Sequence, residues 1–355
     1  MAANGQVTVT QRVDAGELRA FATRVLEATG VPHQDSFLVA DSLVQADLWG
    51  HSSHGVLRLP WYVARLRTGV MATVTDPDTL VDTGPLLLLD GKDGIGQVLT
   101  ERARVEAVAR ARQFGIGAVG VRNSNHFGTA MYYTRRAAAD GCVSMLTTNA
   151  SPAMAPWGGK AKVLGTNPWS LGAPYGDKVV AVDIANTAVA RGKIYLARQK
   201  GEPVPDTWAL SPDGAPTTDA AEAVHGVILP MAGHKGYAIT FMMDVLSGAL
   251  TGSKVGTGVH GPYEADKPSG CGHLMLAIDV ATLGSADEFN ASVVALVDEV
   301  KSAPLAQGFD EIVYPGELED RAERANLAAG GVCLPGQTCI DLTQLADETG
   351  VPLTV

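Results

Sequence analysis

The chain is poor in cysteine, in aromatic residues and in basic charge, and it contains no long apolar run. Its four cysteines, Cys142, Cys271, Cys333 and Cys339, form no C-x-x-C pair, and no histidine lies close enough to complete a zinc pattern. A disulfide scaffold and a structural zinc site are therefore not expected, and no metal is assigned. Lys and Arg total 27 against 38 Asp and Glu, for a net charge of −11. Such a balance suits neither nucleic acid nor a membrane surface, although a small anion still responds to local cations. No stretch approaches the roughly 18 apolar residues of a membrane span. The first residues, MAANGQVTVTQRVDAG, carry no basic segment followed by an apolar one. A cytoplasmic protein is expected.

What is present describes an ordinary folded chain, 46% hydrophobic and 18% charged. Its 355 residues exceed what one small core holds, so two domains are expected, one interrupted by the other. Asp14 with Glu17 reads as a helix start. Leu18, Phe21, Ala22, Val25 and Leu26 follow at helical spacing up to Gly30. A second helix is predicted from Asp35 to Trp49 and a third from about Pro60 to Gly69. Near Thr83 the texture changes to short strands alternating with helices: PLLLLDGKDG, GAVGV, CVSMLTTN, WSLGAP, VVAVDIA and HLMLAIDV read as strands. Helices are predicted at Glu101–Phe114, Thr129–Ala139, Val189–Lys200, Lys235–Leu250, Ala286–Lys301, Glu317–Ala329 and Asp341–Glu348. Gly201 to Ala223 reads as a long surface excursion that turns at Asp213-Gly214. The expected class is α/β (α+β): a mixed-sheet domain over 79–279 inserted in a helical domain built from 1–78 and 280–355.

Gly115 to Gly120 spells GIGAVG, a literal G-x-G-x-x-G. A Rossmann site needs a strand before these glycines and a helix after them, so that the pyrophosphate meets a helix N-terminus. Here a helix precedes and a strand follows. The glycines read as a helix C-cap and as strand packing.

Two polar stretches carry candidate chemistry. In GHSSHGVLRLPWY, His54 and Arg58 would lie about one helical turn apart, with the Ser53 hydroxyl beside them. A guanidinium can grip a carboxylate in two places while an imidazole exchanges a proton at the neighbouring oxygen. A capped helix start with a surface arginine accounts for the same residues equally well. In RNSNHFGTAMYY, His126 occupies a polar loop after a strand, where α/β proteins place ligands. A histidine donating to a loop carbonyl is the plainer alternative. Asp183 ends a strand, and Thr187 reads as the cap of the next helix. MAGHKGYA puts Lys235 between two glycines at a helix start, an arrangement suited to phosphate. In YPGE, Glu317 reads either as an acceptor for ribose hydroxyls or as a first-turn acid satisfying the helix dipole.

Taken in order, SHGVLR, SNHFGTAMYY, SPAMAPWGG with GTNPW, DIANTAVARGK, AGHKG, GHLMLAID and YPGE resemble the malate/L-lactate dehydrogenase family of the non-Rossmann kind. That family includes malate, sulfolactate and ureidoglycolate dehydrogenases, diketogulonate reductase and reductases of cyclic imino acids. The resemblance spans nearly the whole chain. It implies an NAD- or NADP-dependent oxidoreductase of small 2-hydroxy or 2-oxo acids, a mostly antiparallel mixed sheet and a homodimer. Carried over by motif, it implies Ser53, His54, Arg58 and His126 in the active site, with the proton-transfer role open to either histidine; the position of His126 in its loop favours it over His54 as the base. It further implies Ala150, Asp183, Ile184, Ala185, Thr187, His234, Lys235, Gly236, Pro315, Gly316 and Glu317 near the cofactor. Some ureidoglycolate-using relatives have Ser-Asp-Pro where this chain has Ala150-Ser151-Pro152, so a mechanism relying on that acid does not transfer. A reductase of cyclic imino acids with the same fold, and a non-catalytic nucleotide-binding protein, are the competing readings.

Overall fold

The computed structural model describes residues 10–353. The chain opens with β1 (Gln11–Val13), α1 (Ala15–Ala28), α2 (His33–Leu48) and α3 (Leu59–Thr68). A central region follows: β2 (Asp78–Asp82), β3 (Leu86–Asp90), α4 (Gly96–Phe114), β4 (Ile116–Ser124), α5 (Met131–Ala139), β5 (Cys142–Thr148), β6 (Trp169–Tyr175) and β7 (Lys178–Ile184). Next come α6 (Arg191–Lys200), β8 (Ala209–Leu210), α7 (Ala220–His225), β9 (Val227–Ile228), α8 (His234–Asp244) and β10 (Cys271–Asp279). The chain closes with α9 (Val280–Leu283), α10 (Ala286–Ser302), α11 (Glu317–Ala328), β11 (Val332–Leu334) and α12 (Gly336–Thr349).

Seven strands form one sheet in the order β2-β3-β4-β10-β5-β6-β7. Only β3 and β4 run parallel. Their crossover is α4, which packs on β4 so closely that a side chain at Gly117 would strike the Ala107 carbonyl. Gly115 caps α4 in the left-handed conformation, φ 85°, where glycine avoids the Cβ penalty. The GIGAVG glycines thus serve helix end and sheet packing.

Three apolar cores stabilise the described residues. The first joins α1, α2 and α3 to β11 and α12, with Leu18, Phe21, Val25, Leu43, Val63, Leu342 and Leu345 all buried. Asp14 starts α1 by accepting from the Gly16 and Glu17 amides at 2.8 and 3.0 Å. The second lies between the sheet and α4 and α5, around Leu99, Val119, Tyr133, Leu146 and Met275. The third corrects the sequence reading of 201–223. That segment is no bare excursion: Val204, Ala209, Ala220 and Ala223 pack with Ile194 and Ala197 of α6. Its small residues left no helical or strand periodicity to read. The apolar helix expected from Lys235 to Leu250 also changes form, closing with a π-helical turn at Val245–Ala249. Among the described residues no helix is long and apolar enough to cross a membrane.

Candidate active site

His126 lies in the loop between β4 and α5. Three independent contacts hold this loop. A Cβ on Gly96, at the start of α4, would collide with the carbonyls of Asn125 and His126, so the loop rests directly on that helix. The buried Arg65 of α3 donates from Nη2 to Asn125 Oδ1 at 2.9 Å and to Ser269 Oγ at 3.2 Å. The Tyr133 hydroxyl donates to the Phe127 carbonyl at 2.9 Å. On the ring itself, Nδ1 lies 2.7 Å from the Tyr62 hydroxyl and 3.3 Å from the Gly128 amide.

His54 stacks against His126, with ring centroids 5.6 Å apart and planes at 17°. The intervening chain is not the helix that the spacing suggested. Ser52–His54 and Val56–Arg58 are separate 3₁₀ turns around an extended Gly55. The buried Asp47 of α2 causes the break. It accepts from the Val56 amide at 2.8 Å and occupies the space that a Cβ on Gly55 would need. His54 and Arg58 therefore do not share one helical face. They meet through the backbone: Arg58 Nε donates to the Ser53 carbonyl at 2.7 Å, while Ser53 Oγ lies 2.9 Å from His54 Nδ1. The Arg58 guanidinium sits 4.3 Å from the Trp61 ring centroid. It makes no ion pair among the described residues, and only its Nε is hydrogen-bonded. A half-buried cation without a counter-charge is an incomplete structure that an anion would complete.

Burial, then the Arg58 charge, pushes His54 down to about 4. The same two causes, with His54 next, hold His126 well below the usual histidine value. Both rings are accordingly neutral near pH 7. Beneath them His273 is fully buried between the hydroxyls of Thr148 and Ser124, at 2.9 and 2.7 Å, and burial takes it down to about 3.

Asp183, at the end of β7, joins this cluster rather than capping its own turn. Its Oδ2 accepts from the Thr129 hydroxyl at 2.5 Å and the Met131 amide at 2.9 Å, which fixes the start of α5. Its charge also reaches His54. The sequence offered no sign of the further link from Thr129 to His51 (3.4 Å) and on to Glu319 (3.2 Å).

The remaining candidates fall around this cluster in three groups. Ala150 follows β5 and donates its amide to Asn167 Oδ1 at 2.9 Å. Ile184 and Ala185 lie at the end of β7, and Thr187 bridges to Pro230 instead of capping α6, whose N-cap is Ala190. His234, Lys235 and Gly236 form the first turn of α8, which has no side-chain cap. Trp157 lies edge-on to His234 at 6.0 Å, and Lys235 has no ion pair among the described residues. On the strip that carries Trp157, Lys162 is lowered by burial and then by nearby Arg191; sequence reasoning passed over both cations. An open helix N-terminus that carries Lys235 in its first turn fits the pyrophosphate of a dinucleotide. Pro315 accepts from the Ala181 amide at 3.0 Å, and Gly316, at φ 96°, approaches the same strand. Glu317 has partners within the chain. Its oxygens take Lys301 at 2.6 and 2.7 Å, Arg321 at 2.6 Å and the Tyr314 amide at 3.1 Å. Despite the cost of burial, these partners hold it down at about 2. It is the first-turn acid of α11, engaged inside the protein.

A family model described as malate/L-lactate dehydrogenase matches residues 13–343. The L-sulfolactate dehydrogenase of Methanothermobacter thermautotrophicus is 40% identical over 306 residues, which cover 86% of this chain and 88% of its own. The ureidoglycolate dehydrogenase (NAD(+)) of Escherichia coli O157:H7 is 35% identical, over 85% of this chain and 86% of its own. The solved sulfolactate dehydrogenase from Methanocaldococcus jannaschii superposes with a TM-score of 0.92 at 35% identity, covering 97% of this chain and 98% of that one. These relatives are dehydrogenases, and the chain is an enzyme of that class. It belongs to the malate/L-lactate dehydrogenase family.

Proposed function

We propose that this enzyme transfers hydride between NAD or NADP and a small 2-hydroxy or 2-oxo acid. The observation that carries this reading is Arg58. Its terminal nitrogens are unpaired beside two neutral imidazoles, so one site offers a grip for a carboxylate and a seat for a proton. In oxidation His126 Nε2 takes the hydroxyl proton. Arg58 holds the carboxylate, and Ser53 orients His54 for a second hydrogen bond to the substrate. A bound nicotinamide supplies the hydride acceptor, or the donor in the reverse direction. Lys235 and the open first turn of α8 hold its pyrophosphate, with the end of β7 alongside. We further propose a homodimer, supported by the apolar side chains that α8 and its π-turn leave exposed: Phe241 at 49%, Met242 at 49% and Leu250 at 64%.

The test is a panel of 2-oxo acids and cyclic imines, followed at the nicotinamide absorbance with NADH and with NADPH. Turnover of a 2-oxo acid is expected. Turnover of imines alone would move the enzyme to imine reduction. Cofactor binding without turnover of any kind would make it a binding protein.

A further inference from the structure

Next to His126 stand two residues that the proposed reaction does not use. Tyr62 of α3 is 1% exposed, and its hydroxyl lies 2.7 Å from His126 Nδ1. Burial holds the phenol well above its ordinary value, so it stays protonated. Gln97, the second residue of α4, is also 1% exposed. Its amide lies beside the Tyr62 hydroxyl, yet among the described residues neither Oε1 nor Nε2 closes a hydrogen bond of good geometry. A buried amide with both ends unsatisfied is costly and calls for an explanation.

The chemistry of an imidazole supplies one. While the Tyr62 hydroxyl and the Gly128 amide both donate to Nδ1, the ring carries its proton on Nε2 and has none to accept there. To take a proton at Nε2 the ring must carry one on Nδ1, and that N–H needs an acceptor. Tyr62 Oη is in place, provided its own hydrogen turns elsewhere. Gln97 Oε1 is the buried acceptor beside it. In the opposite state the Gln97 amide N–H donates to the same Oη. A glutamine has both a donor and an acceptor; a methionine or a glutamate of that size does not.

We propose that Tyr62 and Gln97 are positioning residues that give His126 Nδ1 an acceptor whenever the ring is protonated there, and so stabilise the charged ring formed when Nε2 takes the substrate proton. In oxidation the C–H bond breaks as hydride leaves for the nicotinamide, and the hydroxyl proton goes to Nε2. Tyr62 then accepts from Nδ1–H and donates to Gln97; no proton leaves the phenol. The other groups around the ring are His54 and Arg58 on the 3₁₀ turns, Arg65 on α3 and His273 on β10, all of which disfavour its charge. The Tyr62–Gln97 pair is the counterweight.

The inference rests on His126 moving the proton, and its test does not require turnover. Histidine ¹⁵N spectra of the full chain, assigned with His126→Asn, report the titration and tautomer of His126 directly. Tyr62→Phe is expected to make protonation about tenfold harder, a shift of about one pH unit to lower pH. Gln97→Met is expected to shift it the same way by less, and Gln97→Glu, which offers a stronger acceptor, the opposite way. Unchanged titration in Tyr62→Phe or in both Gln97 variants would overturn the pairing and leave two residues that merely fill space. If the titrations shift as stated while kcat and its pH profile stay at wild type in every variant, the pairing stands and the assignment of His126 as the base falls.

Discussion

The two histidines are 5.6 Å apart and differ in how they are held. His126 sits on a wall built from α3, α4 and β10. Tyr62 and Gly128 meet its ring, Arg65 ties its neighbour Asn125, and Phe127 packs edge-on to His273 at 4.7 Å. His54 sits on two one-turn helices whose main tether is the Asp47 carboxyl. Among the described residues its only side-chain hydrogen bond is to Ser53, an exposed neighbour. A proton carrier must be aligned to within a fraction of an ångström, whereas a specificity wall must adjust to the substrate. The anchored side therefore suits proton transfer, and the lightly tethered side, with Arg58, suits recognition.

The sharpest way to break that contrast is to exchange the histidines' losses. His126→Asn should reduce kcat by roughly two to four orders of magnitude, the scale of general acid–base catalysis, with cofactor affinity intact. His54→Asn should chiefly raise KM. Mild effects from both substitutions would mean that neither ring moves the proton.

Arg58→Lys tests the recognition side. The charge stays, but the planar fork and its seat on Trp61 are lost. A decrease in kcat/KM worth about 1.5–3 kcal/mol is expected, mostly through KM. Wild-type kinetics would remove Arg58 from the site.

The smallest effect concerns the wall beneath His126. His273 is neutral when folded, with its value down at about 3, and regains about 6.5 when unfolded. The unfolded chain thus binds the extra proton, and stability falls as pH drops from about 6.5 toward 3. His54 and His126 act with the same sign. Asp47 opposes them, because burial raises it to about 7 and its contribution is lost as pH rises. His273→Gln keeps both hydroxyl partners and removes one titration. Between pH 6 and 4 its unfolding free energy should lose about 1.4 kcal/mol per pH unit less than that of the wild type. Parallel slopes in urea titrations would show that His273 is not buried neutral.

Much of this arrangement was legible locally. Asp14, Gly69 and Gly115 end or start helices where the sequence says they should. The GIGAVG stretch is no Rossmann motif, because helix precedes strand there, and the sheet is mostly antiparallel. What escaped depends on contacts that no spacing reports. Gly55 breaks the His54–Arg58 segment because Asp47, on another helix, fills its Cβ space. Tyr62 and His126 are 64 residues apart, and Thr129 and Asp183 are 54 apart. The hold of Lys301 and Arg321 on Glu317 is another such contact. The pairing of β1 with β11 joins segments from opposite ends of the chain through three residues each, too short for any alternation to show.

The most direct measurement is the pH dependence of kcat/KM for oxidation of the best substrate in wild type, His126→Asn and His54→Asn. The base must be neutral, and burial with the Arg58 charge lowers His126 well below the ordinary value. The wild-type profile should therefore lose activity on its acid side, with a limb below pH of about 6.5. That limb should vanish in His126→Asn and persist in His54→Asn. A limb kept by His126→Asn and lost in His54→Asn would give the proton to His54 and contradict the assignment of chemistry to the anchored wall.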